Sequence, residues 1–395
     1  MLTSISLLLL LGLSLGAIFN KFRLPSLIGY ILTGMILGPY LLNVLDPKLL
    51  NISAELREIA LVIILTRAGL SLNLKDLKKV GISAILMCFL PATLEIIGII
   101  LLGTSILGMT ILDAAILGSV IAAVSPAVVV PRMINLIEKK WGTKKAIPQL
   151  IVAGAAVDDV FVIVLFTAFV SLSSNGDVSI KSFITIPISI ILGIILGVLV
   201  GYSLIIFLKK VHMRDSIKLL ILLSISFLLL EIEDLLAPYI AISALLAIMS
   251  VGIIINQKYS QLAKRISIKY NKLWIGAEIL LFVLVGAIVN IQYLLKAGIL
   301  SILVLLGAMV FRMIGVLLCI TKTNLNKKER LFCMLAYTPK ATVQAAIGAI
   351  PLTMGLACGE QVLIIAVLSI LLTAPFGAIC VDTLYKKLLT HDDNY

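Results

Sequence analysis

Charge is scarce in this sequence: only 13% of its 395 residues are Asp, Glu, Lys or Arg, about half the roughly 25% usual in soluble domains. That deficit excludes an ordinary water-solvated globule. Histidine is nearly absent. His212 and His391 both fall in basic or terminal polar segments, so neither reads as a buried base or a metal ligand. The five cysteines, Cys88, Cys319, Cys333, Cys358 and Cys380, lack CxxC or Cys/His spacing and read as small packing residues rather than a metal or redox motif. Long polar stretches are missing as well, which leaves no space for an extramembrane catalytic or nucleotide-binding domain.

What is present is apolar, at 61% of the chain. Stretches of the roughly 17 to 25 residues needed to cross a bilayer recur throughout. Splitting at Pro/Gly and charge clusters gives thirteen spans. They cover 2–19, 24–45, 55–72, 80–103, 111–134, 147–173, 181–208, 217–236, 238–256, 272–291, 295–321, 329–353 and 360–385. The first has no basic residue ahead of it and no small-residue cleavage site behind it, so a retained helix is expected. Cytoplasmic loops retain Lys and Arg, which makes the partition testable. One set of alternate loops holds 25 of the 32 basic residues. The other holds four, Lys48, Arg57, Lys181 and Lys296. The N-terminus is therefore expected outside and the C-terminus in the cytoplasm of a cell (inner) membrane protein. The net charge of +12 is topogenic, and no nucleic-acid partner is expected.

The partition contains an internal echo. Ser125-Pro126-Ala127-Val128-Val129-Val130-Pro131 in the fifth span matches Thr338-Pro339-Lys340-Ala341-Thr342-Val343-Gln344 in the twelfth. Seven spans separate them, and an odd offset puts the copies in opposite membrane orientations, the pattern of inverted repeats in secondary transporters. Spans one to six and eight to thirteen are the expected repeats. Pro126, Pro131 and Pro339 are expected helix breaks, because proline frees carbonyls that are tolerated at membrane depth only when they line protein or a watery cavity. Free carbonyls beside Ser125 and Thr338 are natural ligands for Na+ or Li+. Lys340 is placed to balance the helix-end dipoles.

Of the ionisable residues that fall within the spans, seven are singled out: Arg67, Glu95, Asp158, Asp159, Glu278, Arg312 and Lys340. Each costs about 2.5–3.5 kcal/mol at a helix centre on insertion scales, so each points to function or to a structural pair. Asp158 and Asp159 follow the small-residue run Ala153-Gly154-Ala155-Ala156-Val157. Neighbouring buried carboxylates repel, and one is expected to hold a proton. A site that accepts either H+ or a monovalent cation couples opposite fluxes by competition alone. Arg312, Lys340 and Glu95 are candidates for charge compensation; Arg67 and Glu278 are candidates for support within their own domain.

Together the runs Ala156-Val157-Asp158-Asp159-Val160, Ser125-Pro126-Ala127-Val128-Val129 and Thr338-Pro339-Lys340-Ala341-Thr342-Val343-Gln344 resemble the sodium/proton antiporters of the second cation/proton antiporter branch. The resemblance is strongest to the two-aspartate subgroup with mitochondrial and sperm homologues in animals. Gly29-Tyr30-Ile31-Leu32-Thr33-Gly34 with Gly38-Pro39 also fits. The resemblance implies an all-α polytopic fold of about thirteen transmembrane helices, two inverted repeats and two crossed discontinuous helices. It further implies a homodimer in the lipid bilayer, no cofactor, and transport of monovalent cations and protons. Its domain plan is a dimerisation domain (1–78 and 211–292), an ion-transport core (79–174 and 293–395) and a linker helix (175–210). By the same resemblance Asp159 is the Na+ ligand with Asp158 as its partner. Arg312 departs from the lysine seen in many bacterial relatives. Arginine does not lose its proton, which favours a one-proton, electroneutral cycle. Potassium/proton exchange is the alternative within this class, although potassium-efflux relatives append a nucleotide-binding domain and this chain ends about ten residues after its last span. A cation channel is a second alternative and an intramembrane hydrolase a third. The third lacks a Ser/His pair, and adjacent aspartates on one helix cannot form a two-helix dyad.

Overall fold

The computed structural model describes residues 1–22, 24–71, 81–174, 180–211, 213–236, 239–240 and 242–391. His212 lies outside them. Among the described residues the regular elements are all helices. The first four are α1 (Leu2–Lys21), α2 (Ser26–Leu37), α3 (Pro47–Asn51) and α4 (Ser53–Ser71). Next come α5 (Ile82–Met87), α6 (Leu90–Ile106), α7 (Ile111–Ile121), α8 (Pro126–Glu138) and α9 (Ile147–Ser174). The middle of the chain forms α10 (Ile180–Lys210), α11 (Asp215–Leu236), α12 (Ala244–Lys258) and α13 (Ser260–Ala287). The last five are α14 (Ile291–Ile320), α15 (Lys327–Ala336), α16 (Thr342–Ile347), α17 (Ile350–Thr353) and α18 (Gly359–Leu388).

Among the described residues, eight helical stretches are long and apolar enough to cross a membrane, with α5–α6 and α7–α8 each counted as one path. Three shorter apolar stretches are α2, α12 and the pair α16–α17. Each of the thirteen apolar spans read from the sequence includes described helical residues. The second span is shorter than expected, because α2 stops after 12 residues. Pro39 drives Gly38 into extended backbone there, as the residue before a proline disfavours the helical region.

The helices group into two compact units. The first holds α1–α3, α5–α8, α9 as far as Val170, α13 from Leu281, and α14–α18. Within it α2 lies directly on the end of α13. A Cβ on Gly34 would come within 1.9 Å of the Val283 carbonyl oxygen, and one on Gly286 within 2.2 Å of Ile31 O. Lipid offers no hydrophobic drive between helices, so small residues that let backbones approach are what packs them. The second unit holds α4 from Glu55, the end of α9 from Ser171, α10–α12, and α13 through Leu280. Its α10 presents Gly193 and Gly197, one helical turn apart, to the carbonyls of Ser243, the residue that caps α12, and of Ala247 within α12 in the same manner.

Pro131 is not a helix break. It sits inside α8. The break precedes α8, at residues 122–125, where Pro126 occupies the first helical turn and its missing N–H has no partner to lose. Five positions further on, Pro131 removes one helical hydrogen bond and the helix continues through it.

Candidate functional site

Two interrupted helices meet in the first unit. In one, α7 ends at Ile121 and α8 begins at Pro126; in the other, α15 ends at Ala336 and α16 begins at Thr342. The Ser125 N–H donates to Pro339 O at 2.7 Å and ties the two breaks together. Gly377 of α18 makes room for this crossing, since a Cβ there would meet Pro339 Cγ at 2.3 Å.

A fully buried ion network fills the crossing. Arg312 of α14 is 0% exposed. Its Nη1 donates to Glu95 Oε2 of α6 at 2.8 Å and its Nη2 to Asp158 Oδ2 of α9 at 2.9 Å. The same guanidinium donates through Nε to Tyr337 O at 2.6 Å, and through Nη1 to Ala122 O. Lys340 Nζ stands 2.6 Å from the other Glu95 oxygen and donates to Ile121 O at 2.7 Å. Gln344 Nε2 bonds Ile121 O and Ala123 O at 3.1 and 2.9 Å. The carbonyls of Ile121, Ala122 and Ala123, freed where α7 stops, are thus covered by two cations and an amide. Cations at a helix C-terminus offset its partial negative charge.

The sequence leaves open whether Arg312 pairs with Asp158 or with Glu95. The guanidinium reaches both at once, and Lys340 takes the Glu95 oxygen that Arg312 leaves. Asp158 Oδ2 also accepts from Val124 N–H at 2.8 Å, so this oxygen has a cation and a backbone donor. Asp158 Oδ1 and Asp159 Oδ1 are buried with no hydrogen-bond donor among the described residues. Ser125 Oγ, Thr342 Oγ1 and Gln344 Oε1 are buried and unpartnered as well. Buried polar atoms are satisfied in the great majority of cases, so unsatisfied oxygens concentrated around one helix crossing call for an explanation. The Thr338 hydroxyl is differently placed, because it turns back from the break and donates to Leu335 O of α15 at 2.8 Å. Arg67 and Glu278 lie in the second unit, where they interact electrostatically with each other.

Four contributors carry little signal of their own in the sequence. Tyr337 stacks its ring on the Arg312 guanidinium, 4.9 Å from CZ to the ring centroid, and donates its hydroxyl to Met87 O at 3.0 Å. Gly154, one turn before Asp158, leaves space for that hydroxyl; a Cβ would stand 2.6 Å from it. Thr373 Oγ1 of α18 accepts the Lys340 backbone N–H at 3.0 Å. Gln344 is the fourth; a buried amide in an apolar run is the only hint it gives.

Residues 5–387 match the family described as "Sodium/hydrogen exchanger, transmembrane". Human sodium/hydrogen exchanger 9B2 is 31% identical over 387 residues, covering 93% of this chain and 70% of the relative. Human sodium/hydrogen exchanger 9B1 is also 31% identical, over 396 residues, with 93% and 73% covered. Among solved structures, the sodium proton antiporter MjNhaP1 from Methanocaldococcus jannaschii superposes with a TM-score of 0.85 over 98% of both chains. At 20% identity that likeness speaks for the fold. The relatives are exchangers, which makes this a multi-span membrane transporter rather than an enzyme. A family match over nearly the whole length, joined to relatives of this identity, leads to one conclusion: the chain belongs to the sodium/hydrogen exchanger family.

Proposed function

We propose that the protein exchanges Na+ or Li+ for H+ across a cell membrane through the two-aspartate chemistry of Asp158 and Asp159, as a homodimer with thirteen crossings, the N-terminus outside and the C-terminus in the cytoplasm. The observation that carries this reading is the contrast between two oxygens on adjacent residues. Asp158 Oδ2 is held by Arg312 and by the Val124 N–H, whereas Asp159 Oδ1 has no donor among the described residues. An unsatisfied buried carboxylate oxygen has two ways to be stabilised, a proton or a cation, and one excludes the other. Ser125 Oγ and the free Asp158 Oδ1 are further oxygens for a desolvated monovalent ion, whose preference is for oxygen ligands. Thr338, whose hydroxyl is engaged by the Leu335 carbonyl at the end of α15, is a weaker candidate than Ser125.

In this reading Arg312, Lys340 and Glu95 form a fixed counter-charge that never leaves the site, and the crossing moves as one body during alternating access. The core would comprise 79–174 and 293–395, the dimerisation domain 1–78 and 211–292, with 175–210 as linker. Arg67 and Glu278 would support the dimerisation part. With Asp158 already charge-compensated, Asp159 is the one group that trades a proton for a cation, giving a one-for-one cycle. The test is transport by purified protein in liposomes, with Na+, Li+ and K+ compared. An imposed proton gradient should drive uphill Na+ or Li+ uptake. Equal or greater coupling to K+ would favour potassium exchange, and flux that only follows its own gradient would identify a channel.

A further inference from the structure

The second unit contains a cavity far in sequence from the aspartates. It has a volume of 530 Å³ and lies where the end of α10 turns into α11 and α12 turns into α13. Lys209, Arg214, Lys218 and Arg265 line it, with Asp215 as the one carboxylate among the described residues. Two of these charges are occupied. Arg265 Nε pairs with Asp215 Oδ2 at 3.1 Å, and Lys209 Nζ stands 5.4 Å over the Tyr259 ring. Lys218 is different: only 6% exposed, it makes no side-chain hydrogen bond or ion pair among the described residues.

A lysine this buried is rare unless paired; its stem packs into the wall while its ammonium opens onto the cavity, where a counter-ion can reach it. A cavity wall is where such a charge finds a counter-ion. Arg214 adds a second cation from the same turn, and an arginine fork with a lysine point charge is the pairing that holds phosphate oxygens. We infer that this cavity is an anion site for a phosphate group carrying more than one negative charge, centred on Lys218 and Arg214. The apolar members of the wall, Leu208, Val211 and Met213, would accept the glycerol part of a phospholipid as readily as they would border a soluble phosphate. Basic pockets between membrane helices are known to take lipid headgroups. The common chemistry is the phosphate, and the source is for the experiment to separate.

The experiment is calorimetric titration of the full-length detergent-purified protein with two probes, inorganic pyrophosphate and dihexanoyl phosphatidic acid below its micellar concentration. At least one probe should bind at one per chain. Lys218→Met should weaken that binding about 10- to 100-fold, the loss expected for one charge-assisted hydrogen bond. Arg214→Gln, at an exposed position that does not threaten folding, should weaken it too. Na+-driven exchange without probe should be unchanged in both variants, since neither residue belongs to the ion crossing. Binding of pyrophosphate supports the site with a soluble source, and binding of the phosphatidic acid alone supports it with a lipid source. Failure of both probes to bind, or unaltered affinity in both variants, overturns it.

Discussion

The two helix breaks in the first unit carry nearly the same sequence signature and contribute opposite chemistry. Ser125-Pro126-Ala127 and Thr338-Pro339-Lys340 align residue for residue. The first break offers acceptors, the carbonyls of Ile121, Ala122 and Ala123, along with the Val124 and Ser125 N–H groups. The second brings side-chain donors, Lys340 and Gln344. Where the first copy has Ala127, the second has a buried cation. The difference teaches how a repeat becomes a site: the shared proline opens both helices, and one substituted side chain makes the openings complementary. Arg312 then completes the neutralisation from a third helix and leaves Asp159 outside the fixed pairs.

That comparison breaks most completely at Asp159. Asp159→Asn should abolish Na+-driven proton flux in liposomes while the protein still inserts, because an amide neither carries the proton nor neutralises a cation; retained exchange would remove Asp159 from the mechanism. Arg312→Met comes next. It strands Asp158 and half of Glu95 in a buried site, and loss of one partner of such a pair costs about 3–5 kcal/mol, so thermal unfolding in detergent should fall sharply. Gln344→Leu sharpens the donor side of the comparison. The Ala123 carbonyl loses its donor, at about 1–3 kcal/mol, a smaller drop in the same unfolding assay. Ser125→Ala should have the smallest effect and a distinctive one. Its hydroxyl satisfies nothing in the fold, so stability should hold while the apparent Na+ affinity drops about 2- to 12-fold, the equivalent of one ligand worth about 0.5–1.5 kcal/mol.

The helical architecture was legible because lipid imposes a coarse rule: long apolar runs must be helices, and Pro or charge must mark their ends or their sites. Pro126 and Pro339 were readable as breaks on that basis. Pro131 was not distinguishable from them, since only the start of α8 decides which proline stands in a first turn. That Asp158, Glu95, Arg312 and Lys340 would need buried partners was legible because charge inside a span is costly. Their pairing was not. Arg312 meets partners 154 and 217 residues away, and no local pattern encodes which oxygen of Glu95 goes to which cation. Tyr337 and Gln344 stayed hidden for the opposite reason: a neutral polar residue in an apolar run costs too little to stand out.

The most direct test of the account is the null point of exchange by wild-type protein in liposomes whose membrane potential is clamped with K+ and valinomycin. With Asp158 held by Arg312 and Asp159 alone trading H+ for Na+, net proton flux should vanish when the Na+ and H+ gradients are equal, and the clamped potential should not move that point. A null point at a two-to-one gradient ratio, shifting with potential, would mean that both aspartates cycle and that the Arg312 pair opens during transport.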